Sequence, residues 1–172
     1  QVVKQNVSAF DAMAFAEKET WLTAQIEDAS LVPGLLPAPS RQSLQAFLAQ
    51  DGGSWKGSFD RVTGSISDLE GSGLHWIPGA GNQIQPQQLG LNPLEMAAPN
   101  DVPVQLVHAK AMDFLARYPG LFAADPKDLA LNVSASGPVL DYLYYLQLDL
   151  THHGIPVEHA HIVFRLNNGN VV

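Results

Sequence analysis

The sequence predicts an α+β fold in which a helix covers one face of an antiparallel β-meander. Three patterns in residues 103–172 predict it: an apolar stripe at helical spacing, segments that alternate with period two, and the pair Asn168–Gly169. Alternation is typical of a strand with one buried face. Asn-Gly favours a type I′ hairpin turn, because both central residues need positive φ. A helix followed by hairpin-connected strands packs as two layers.

The helix of this layer is predicted over residues 104–118. Pro103 fits a first helical turn, where its missing N–H costs nothing, and Pro119–Gly120 ends the segment. The inward stripe at helical spacing comprises Val107, Ala111, Phe114, Leu115 and Tyr118. This stripe is expected to pack on the sheet.

Three strands are predicted after the helix, over residues 129–134, 140–150 and 157–166, with Gly137–Pro138 closing the first. The inward face of the second strand comprises Leu140, Tyr142, Tyr144, Leu146, Leu148 and Leu150. That of the third comprises Ala160, Ile162, Phe164 and Leu166. Residues 170–172 then begin the return arm of a hairpin. We therefore expect the chain to be a piece of a longer protein, truncated within a strand.

The first half of the chain predicts a second, similar layer. One helix is expected over residues 8–27. Another is capped by Ser40, carries the stripe Leu44, Phe47 and Leu48, and ends at Gly52–Gly53. A hairpin of residues 55–60 and 65–69 turns at residues 61–64. We expect two small α+β layers in tandem, residues 1–100 and 101–172, with a boundary near Asn100 after a Gly- and Pro-rich loop.

The composition excludes several classes of partner. Only 15% of residues are charged and the net charge is −8, so nucleic acid and anionic membrane are poor partners. No apolar run is long enough to span a bilayer, and membrane insertion is not expected. The absence of cysteine excludes disulfides and thiolate metal sites. The chain starts at Gln1 without Met, as expected where a signal peptide has been removed.

Catalytic motifs are missing from the sequence. It contains no HExxH, no GxSxG, no cysteine nucleophile and no Gly-rich phosphate loop ahead of a helix, so we expect neither an enzyme nor a cofactor. His152, His153, His159 and His161 surround a predicted bend. His159 and His161 share one strand face and could bind zinc through imidazole nitrogen. The simpler interpretation is an exposed polar face beside a turn.

The last two-fifths of the chain resemble a known family. The relevant residues are an aromatic-rich strand with Tyr145 and Gln147, then Gly154, Ile155, Pro156 and Val157, an alternating strand over 160–166, and Gly169. This order is similar to the propeptide (FTP) domain of fungalysin- and thermolysin-type secreted zinc metallopeptidases. The resemblance implies a cystatin-like layer. The chain departs from the family pattern at residues 158–160, where the family commonly has a glycine soon after the Val.

The resemblance implies a non-catalytic propeptide, an intramolecular chaperone and inhibitor of a cognate zinc metallopeptidase catalytic domain. Such a chain is expected in a secreted, periplasmic or extracellular location. The predicted partner-contacting residues lie in the bend and in the irregular loop before Asn100: Trp76, His153, Gly154, Ile155, Pro156, Glu158 and His159. The alternative is an exported cell-surface recognition or adhesion module. A third, weaker alternative is a His-based metal binder.

Overall fold

The computed structural model describes residues 24–26, 38–51, 54–59, 65–122 and 124–172. Among these residues, the structure has the α-helices α1 (Ala38–Asp51) and α2 (Val104–Arg117). Its strands are β1 (Ala24–Ile26), β2 (Trp55–Phe59), β3 (Ile66–Gly71), β4 (Leu74–His75), β5 (Leu129–Leu131), β6 (Gly137–Leu140), β7 (Leu143–His152), β8 (Ile155–Asn167) and β9 (Asn170–Val171). The predicted α+β class is confirmed. Within the described residues, no helix has the length and apolarity needed to cross a membrane.

The strands of the described residues form two sheets, and all of their pairs are antiparallel. The smaller sheet has the order β1-β2-β3. The larger has the order β4-β9-β8-β7-β5, and β6 also pairs with β7. Strand β9 therefore lies between β8 and β4, although β4 is far away in sequence. The larger sheet draws strands from both halves of the chain.

The buried faces of helix α2 and of the long strands β7 and β8 are the ones that the sequence predicts. The apolar stripe of α2 is buried, and Phe114 places its ring 6.0 Å from that of Phe164 on β8. Tyr144, Leu146 and Leu148 are buried on the same face of β7. Successive strand side chains point to opposite faces, so this alternation defines one apolar face under the helix.

The region between β5 and β7 differs from the prediction. The strand predicted over 129–134 stops at Leu131, because the side chain of Asn132 accepts a hydrogen bond from Ala135 N and turns the backbone into a 3₁₀ helix. Gly137–Pro138 does not close a strand but opens β6. Leu140 and Tyr142, predicted on the inward face, are about half exposed, because a turn separates β6 from β7.

The N-terminal elements are partly as predicted. Helix α1 begins at Ala38, so Ser40 lies inside it rather than capping it, while Leu44 and Phe47 are buried as expected. The helix predicted over 8–27 lies mostly outside the described residues, and its end is wrong, since Ala24–Ile26 is a strand paired with β2. The predicted hairpin is confirmed as β2–β3. Its turn at 61–64 and the helix stop at 52–53 lie outside the described residues.

One hydrophobic core includes residues from both halves of the chain. The ring of Phe47 on α1 lies 5.0 Å from that of Trp55 on β2 and 5.5 Å from that of Tyr118, which follows α2. Asn100, at the predicted boundary, is 2% exposed, and its Nδ2 donates to the carbonyl of Leu140 at 2.7 Å. The division into residues 1–100 and 101–172 stays a prediction, and the contacts across it are extensive.

Candidate functional site

The far end of the β7–β8 hairpin, residues 151–160, is named here the hairpin tip. His152 pairs with Ile155, so only His153 and Gly154 form the turn. Their φ angles are 52° and 79°, and positive φ at both positions is the type I′ geometry that matches strand twist. Glycine reaches this conformation without strain, which explains Gly154 at the second position. The predicted bend is therefore a tight hairpin turn.

A bulge in β8 lies next to this turn. Asp149 pairs with His161 and Thr151 with Pro156, so Leu150 alone faces residues 157–160 of β8. His159 within the bulge has a φ of 58°, the left-handed region that favours glycine. Bulges bend a strand and redirect its side chains. His159 and His161 therefore do not follow the simple alternation on which the shared-face prediction depended.

Apolar side chains at the hairpin tip are exposed to solvent. Ile155 is 70% exposed and Val157 is 39% exposed, and Pro156 between them is also exposed. The other end of the same hairpin is buried, with Leu146 and Leu166 fully covered. The hairpin is thus anchored in the core at one end and exposes apolar side chains at the other, which makes its tip a candidate contact surface.

The charged and polar groups of the tip interact weakly with one another. The His159 Nε2 lies 3.4 Å from Glu158 Oε1, but both side chains are about nine-tenths exposed, so this pair contributes little stability. The rings of His152 and His153 lie 4.3 Å apart in an edge-to-face arrangement. Among the residues that the structure describes, no three His, Cys, Asp or Glu side chains are placed to hold a metal ion. The weak His159–His161 zinc prediction gains no third ligand.

Gln147, a residue of the family resemblance, belongs to a hydrogen-bond network beside the tip. Its Nε2 donates to Asp149 Oδ1 at 2.7 Å, and Asn132 Nδ2 donates to Asp149 Oδ2 at 2.8 Å. The backbone N–H of Gln147 donates to Ser136 Oγ at 2.9 Å. The network fixes the segment between β5 and β6 on the outer face of β7. No local pattern in the sequence indicates this network, because only folding brings these residues together.

Trp76, a predicted partner contact, has its side chain buried in the core. It is 7% exposed, and its ring lies 5.2 Å from that of Phe164 and 5.8 Å from that of Phe114. Such ring pairs stabilise a core beyond the area they bury. Trp76 is therefore an anchor that holds the irregular loop on the body, which was the simpler interpretation of its sequence context.

The loop around Trp76 encloses the Asn168–Gly169 turn. The backbone N–H groups of Trp76 and Ile77 both donate to Gly169 O at 3.1 Å, and Gly81 N donates to Asn168 O at 3.1 Å. The turn angles, 49° at Asn168 and 84° at Gly169, confirm the predicted type I′ hairpin. The loop before Asn100 therefore supports the β8–β9 turn, and the exposed surface of the candidate site is the hairpin tip.

Tyr144 connects the sheet to the start of α2. Its side chain is 1% exposed, and its hydroxyl donates to Val102 O at 3.2 Å. Burial, together with the negative charge of Asp101, raises the pKa of Tyr144 to about 12. The phenol is therefore neutral at physiological pH, and its hydroxyl donates a structural hydrogen bond.

No family model, curated protein or solved structure matches this chain. The comparisons therefore give no independent support to the resemblance with the FTP domain.

Proposed function

We propose that the chain is a non-catalytic propeptide that acts as intramolecular chaperone and inhibitor of a secreted zinc metallopeptidase of the thermolysin and fungalysin type. The observation that carries the proposal is the exposed hairpin tip. The sequence Gly154, Ile155, Pro156 and Val157, on which the resemblance depends, forms an ordered hairpin end with apolar side chains in solvent.

The bulge at His159 adds support. The family commonly has glycine shortly after the Val, and this chain has His159 with a φ of 58° in that stretch. Glycine is the usual residue in a left-handed conformation, and other residues adopt it at a cost of about 1–2 kcal/mol. The departure from the family sequence thus occurs where the backbone has the conformation that glycine prefers.

An inhibitory propeptide needs a preformed surface and a high local concentration. The hairpin tip supplies the surface, because its residues are held in place by strand pairing and lose little freedom on binding. Linkage to the peptidase in one polypeptide supplies the concentration, and cleavage of that linkage weakens binding without changing any contact. The chain is then expected to act in a secreted, periplasmic or extracellular location, with the cognate catalytic domain as its partner.

The proposal is tested by adding the chain to a separately expressed cognate catalytic domain. We expect inhibition that weakens on dilution, slow degradation of the chain, and faster recovery of activity when the unfolded peptidase refolds in its presence. The double variant Ile155→Ser, Val157→Ser should raise the inhibition constant about 100-fold or more, since each aliphatic side chain that binding buries contributes about 1.5 kcal/mol or more. Val139→Ser is the matched control, because Val139 is similarly exposed but lies on β6.

Two outcomes would contradict the proposal. One is the absence of both inhibition and refolding rescue at about 100 μM chain, a concentration at which even weak complexes form. The other is equal loss of inhibition in the tip variant and in Val139→Ser. The first would favour the alternative of a cell-surface recognition module, whose partner is not a peptidase.

A further inference from the structure

A cleft of about 230 Å³ lies between strand β4, helix α2 and the last residue of helix α1. Its apolar lining consists of Leu74, Trp76 and Phe114, which belong to the hydrophobic core or pack against it. A water molecule takes about 30 Å³ of liquid volume, so the cleft has room for about eight waters. It is smaller than a typical pocket for a drug-sized ligand and suits a molecule about the size of an amino acid.

The charged residues of the cleft are balanced in sign. Asp51 and Asp113 are acidic, Lys110 and Arg117 are basic, and His75 is the remaining polar residue of the lining. With histidine neutral, the formal charge of the cleft is zero, whereas the whole chain carries −8. Complementary charges select the matching partner and reject others. A balanced cleft therefore favours a ligand with one charge of each sign over a simple anion or cation.

Asp51 and Arg117 are engaged within the chain. Arg117 Nη1 lies 3.9 Å from Asp51 Oδ1, and the Tyr118 hydroxyl donates to Asp51 Oδ2. Both carboxylate oxygens of Asp51 therefore have a partner, and this carboxylate joins the end of α1 to the end of α2. The side chain of Arg117 is half exposed and keeps further N–H groups for other acceptors.

Lys110 and Asp113 are not engaged in this way. They lie three residues apart on α2, a spacing at which opposite charges are neighbours on the helix surface, about 5–6 Å apart at Cβ. Neither forms a hydrogen bond or an ion pair with any residue that the structure describes. An ammonium and a carboxylate thus stand side by side in the cleft, each able to pair with a ligand.

Trp76 contributes a third group without a partner. Its side chain is 7% exposed, and its indole N–H has no acceptor among the described residues. A buried indole N–H usually has one. The nitrogen is not among the fully buried polar atoms that lack a hydrogen bond, so it keeps contact with solvent. Its acceptor is therefore a solvent molecule or a ligand in the cleft that Trp76 lines.

We propose that this cleft binds a small zwitterion with an apolar side group, the chemistry of an α-amino acid such as leucine. The ligand carboxylate accepts hydrogen bonds from the Lys110 ammonium and the Trp76 indole N–H. The ligand ammonium pairs with Asp113, and the side group packs on Leu74 and Phe114. A free amino acid and a dipeptide share this chemistry. The inference does not depend on the propeptide proposal, because the cleft and the hairpin tip have no residue in common.

Nuclear magnetic resonance of the ¹⁵N-labelled full chain tests the site by titration with L-leucine. The indole N–H resonance of Trp76, assigned by its loss in Trp76→Phe, should shift and saturate with a dissociation constant of about 1 mM or below. If Trp76→Phe does not fold, the backbone amides of Lys110 and Asp113 report the same titration. Saturation by leucine but not by leucyl-leucine identifies a free amino acid as the ligand, and saturation by leucyl-leucine identifies a dipeptide.

Two leucine analogues separate the charged contacts. Acetyl-leucine lacks the ammonium and leucinamide lacks the carboxylate, so each should bind about tenfold more weakly than leucine, as expected for the loss of a hydrogen bond to a charged group. Asp113→Asn should weaken the binding of leucine but not that of acetyl-leucine. Lys110→Gln should weaken the binding of leucine but not that of leucinamide.

Asp125→Asn and Lys127→Gln are the matched controls, because both residues are exposed and lie outside the cleft. They make the same changes of charge and should leave leucine binding unchanged. The proposal is overturned if about 20 mM leucine, well above the expected dissociation constant, shifts none of these resonances. Equal binding of leucine and both analogues, or equal weakening by the control variants, would also overturn it.

Discussion

Two glycines occupy the same position in two type I′ turns, and this provides a matched test of the loop that encloses the β8–β9 turn. Gly154 has a φ of 79° and Gly169 a φ of 84°. A Cβ added at Gly154 would meet no heavy atom of the described residues within 4 Å. A Cβ added at Gly169 would overlap the carbonyl oxygen of Ile77 and lie 2.7 Å from Asn82 Nδ2 and 2.9 Å from Pro78 C.

Alanine at either position adopts a left-handed conformation, which costs about 1–2 kcal/mol. Gly169→Ala must also move the enclosing loop and weaken the two bonds that Trp76 and Ile77 donate to the Gly169 carbonyl. Each such bond contributes about 1 kcal/mol. We therefore expect Gly169→Ala to lower the free energy of unfolding by about 2–4 kcal/mol more than Gly154→Ala does.

Urea unfolding followed by tryptophan fluorescence measures this difference, because Trp76 reports on the loop itself. The urea concentration at the unfolding midpoint should fall much further for Gly169→Ala than for Gly154→Ala. The slope of unfolding free energy against urea concentration should be unchanged for Gly154→Ala. Equal losses in the two variants would refute the reasoning. They would show that the loop yields freely and that only backbone conformation sets the cost.

Three further predictions concern single positions. The pKa of Tyr144 is raised from 10 to about 12, so its contribution to stability is complete below pH 10 and is lost as pH rises towards 12. In melts at different pH, Tyr144→Phe should therefore lose up to about 3 kcal/mol less stability over this alkaline range than the unchanged chain does. Phe114→Ala should lower the free energy of unfolding by about 3–5 kcal/mol in thermal melts, whereas His161→Ala, at an exposed position, should change it by no more than about 0.5 kcal/mol. A larger loss for His161→Ala than for Phe114→Ala would contradict the assigned faces. His159→Gly should leave stability unchanged or raise it by about 1 kcal/mol, whereas His161→Gly, in a regular part of β8, should lower it.

The elements that the sequence predicts well are those with a local periodic signal. The α2 stripe, the buried face of β7 and the Asn168–Gly169 turn all depend on residues within a few positions of one another. Period, turn chemistry and packing agree in these segments. Agreement across these levels is what makes a pattern predictive.

The elements that the sequence does not predict depend on distant partners. Strand β4 forms because Leu74 pairs with Val171, and Trp76 is buried because its loop packs on that same end of the sheet. Ala24–Ile26 fits a helical stripe by composition but pairs with β2. Asn132 ends a strand through its own side chain, a turn signal that competed with the alternation of Leu129 and Leu131.

The hairpin tip contains one part that the local sequence predicts and one part that depends on a distant partner strand. Gly154 and the apolar residues after it are visible in the sequence, but the bulge that contains His159 depends on β7 pairing on either side of it. The same pairing holds the tip in place, with Thr151 Oγ1 donating to Asp128 O at 2.9 Å behind the turn. A partner that buries Ile155 therefore meets an ordered surface, and little conformational entropy is lost on binding. In the proposed precursor, where linkage in one chain would give a high local concentration, that ordering would allow a small apolar surface to contribute usefully to affinity.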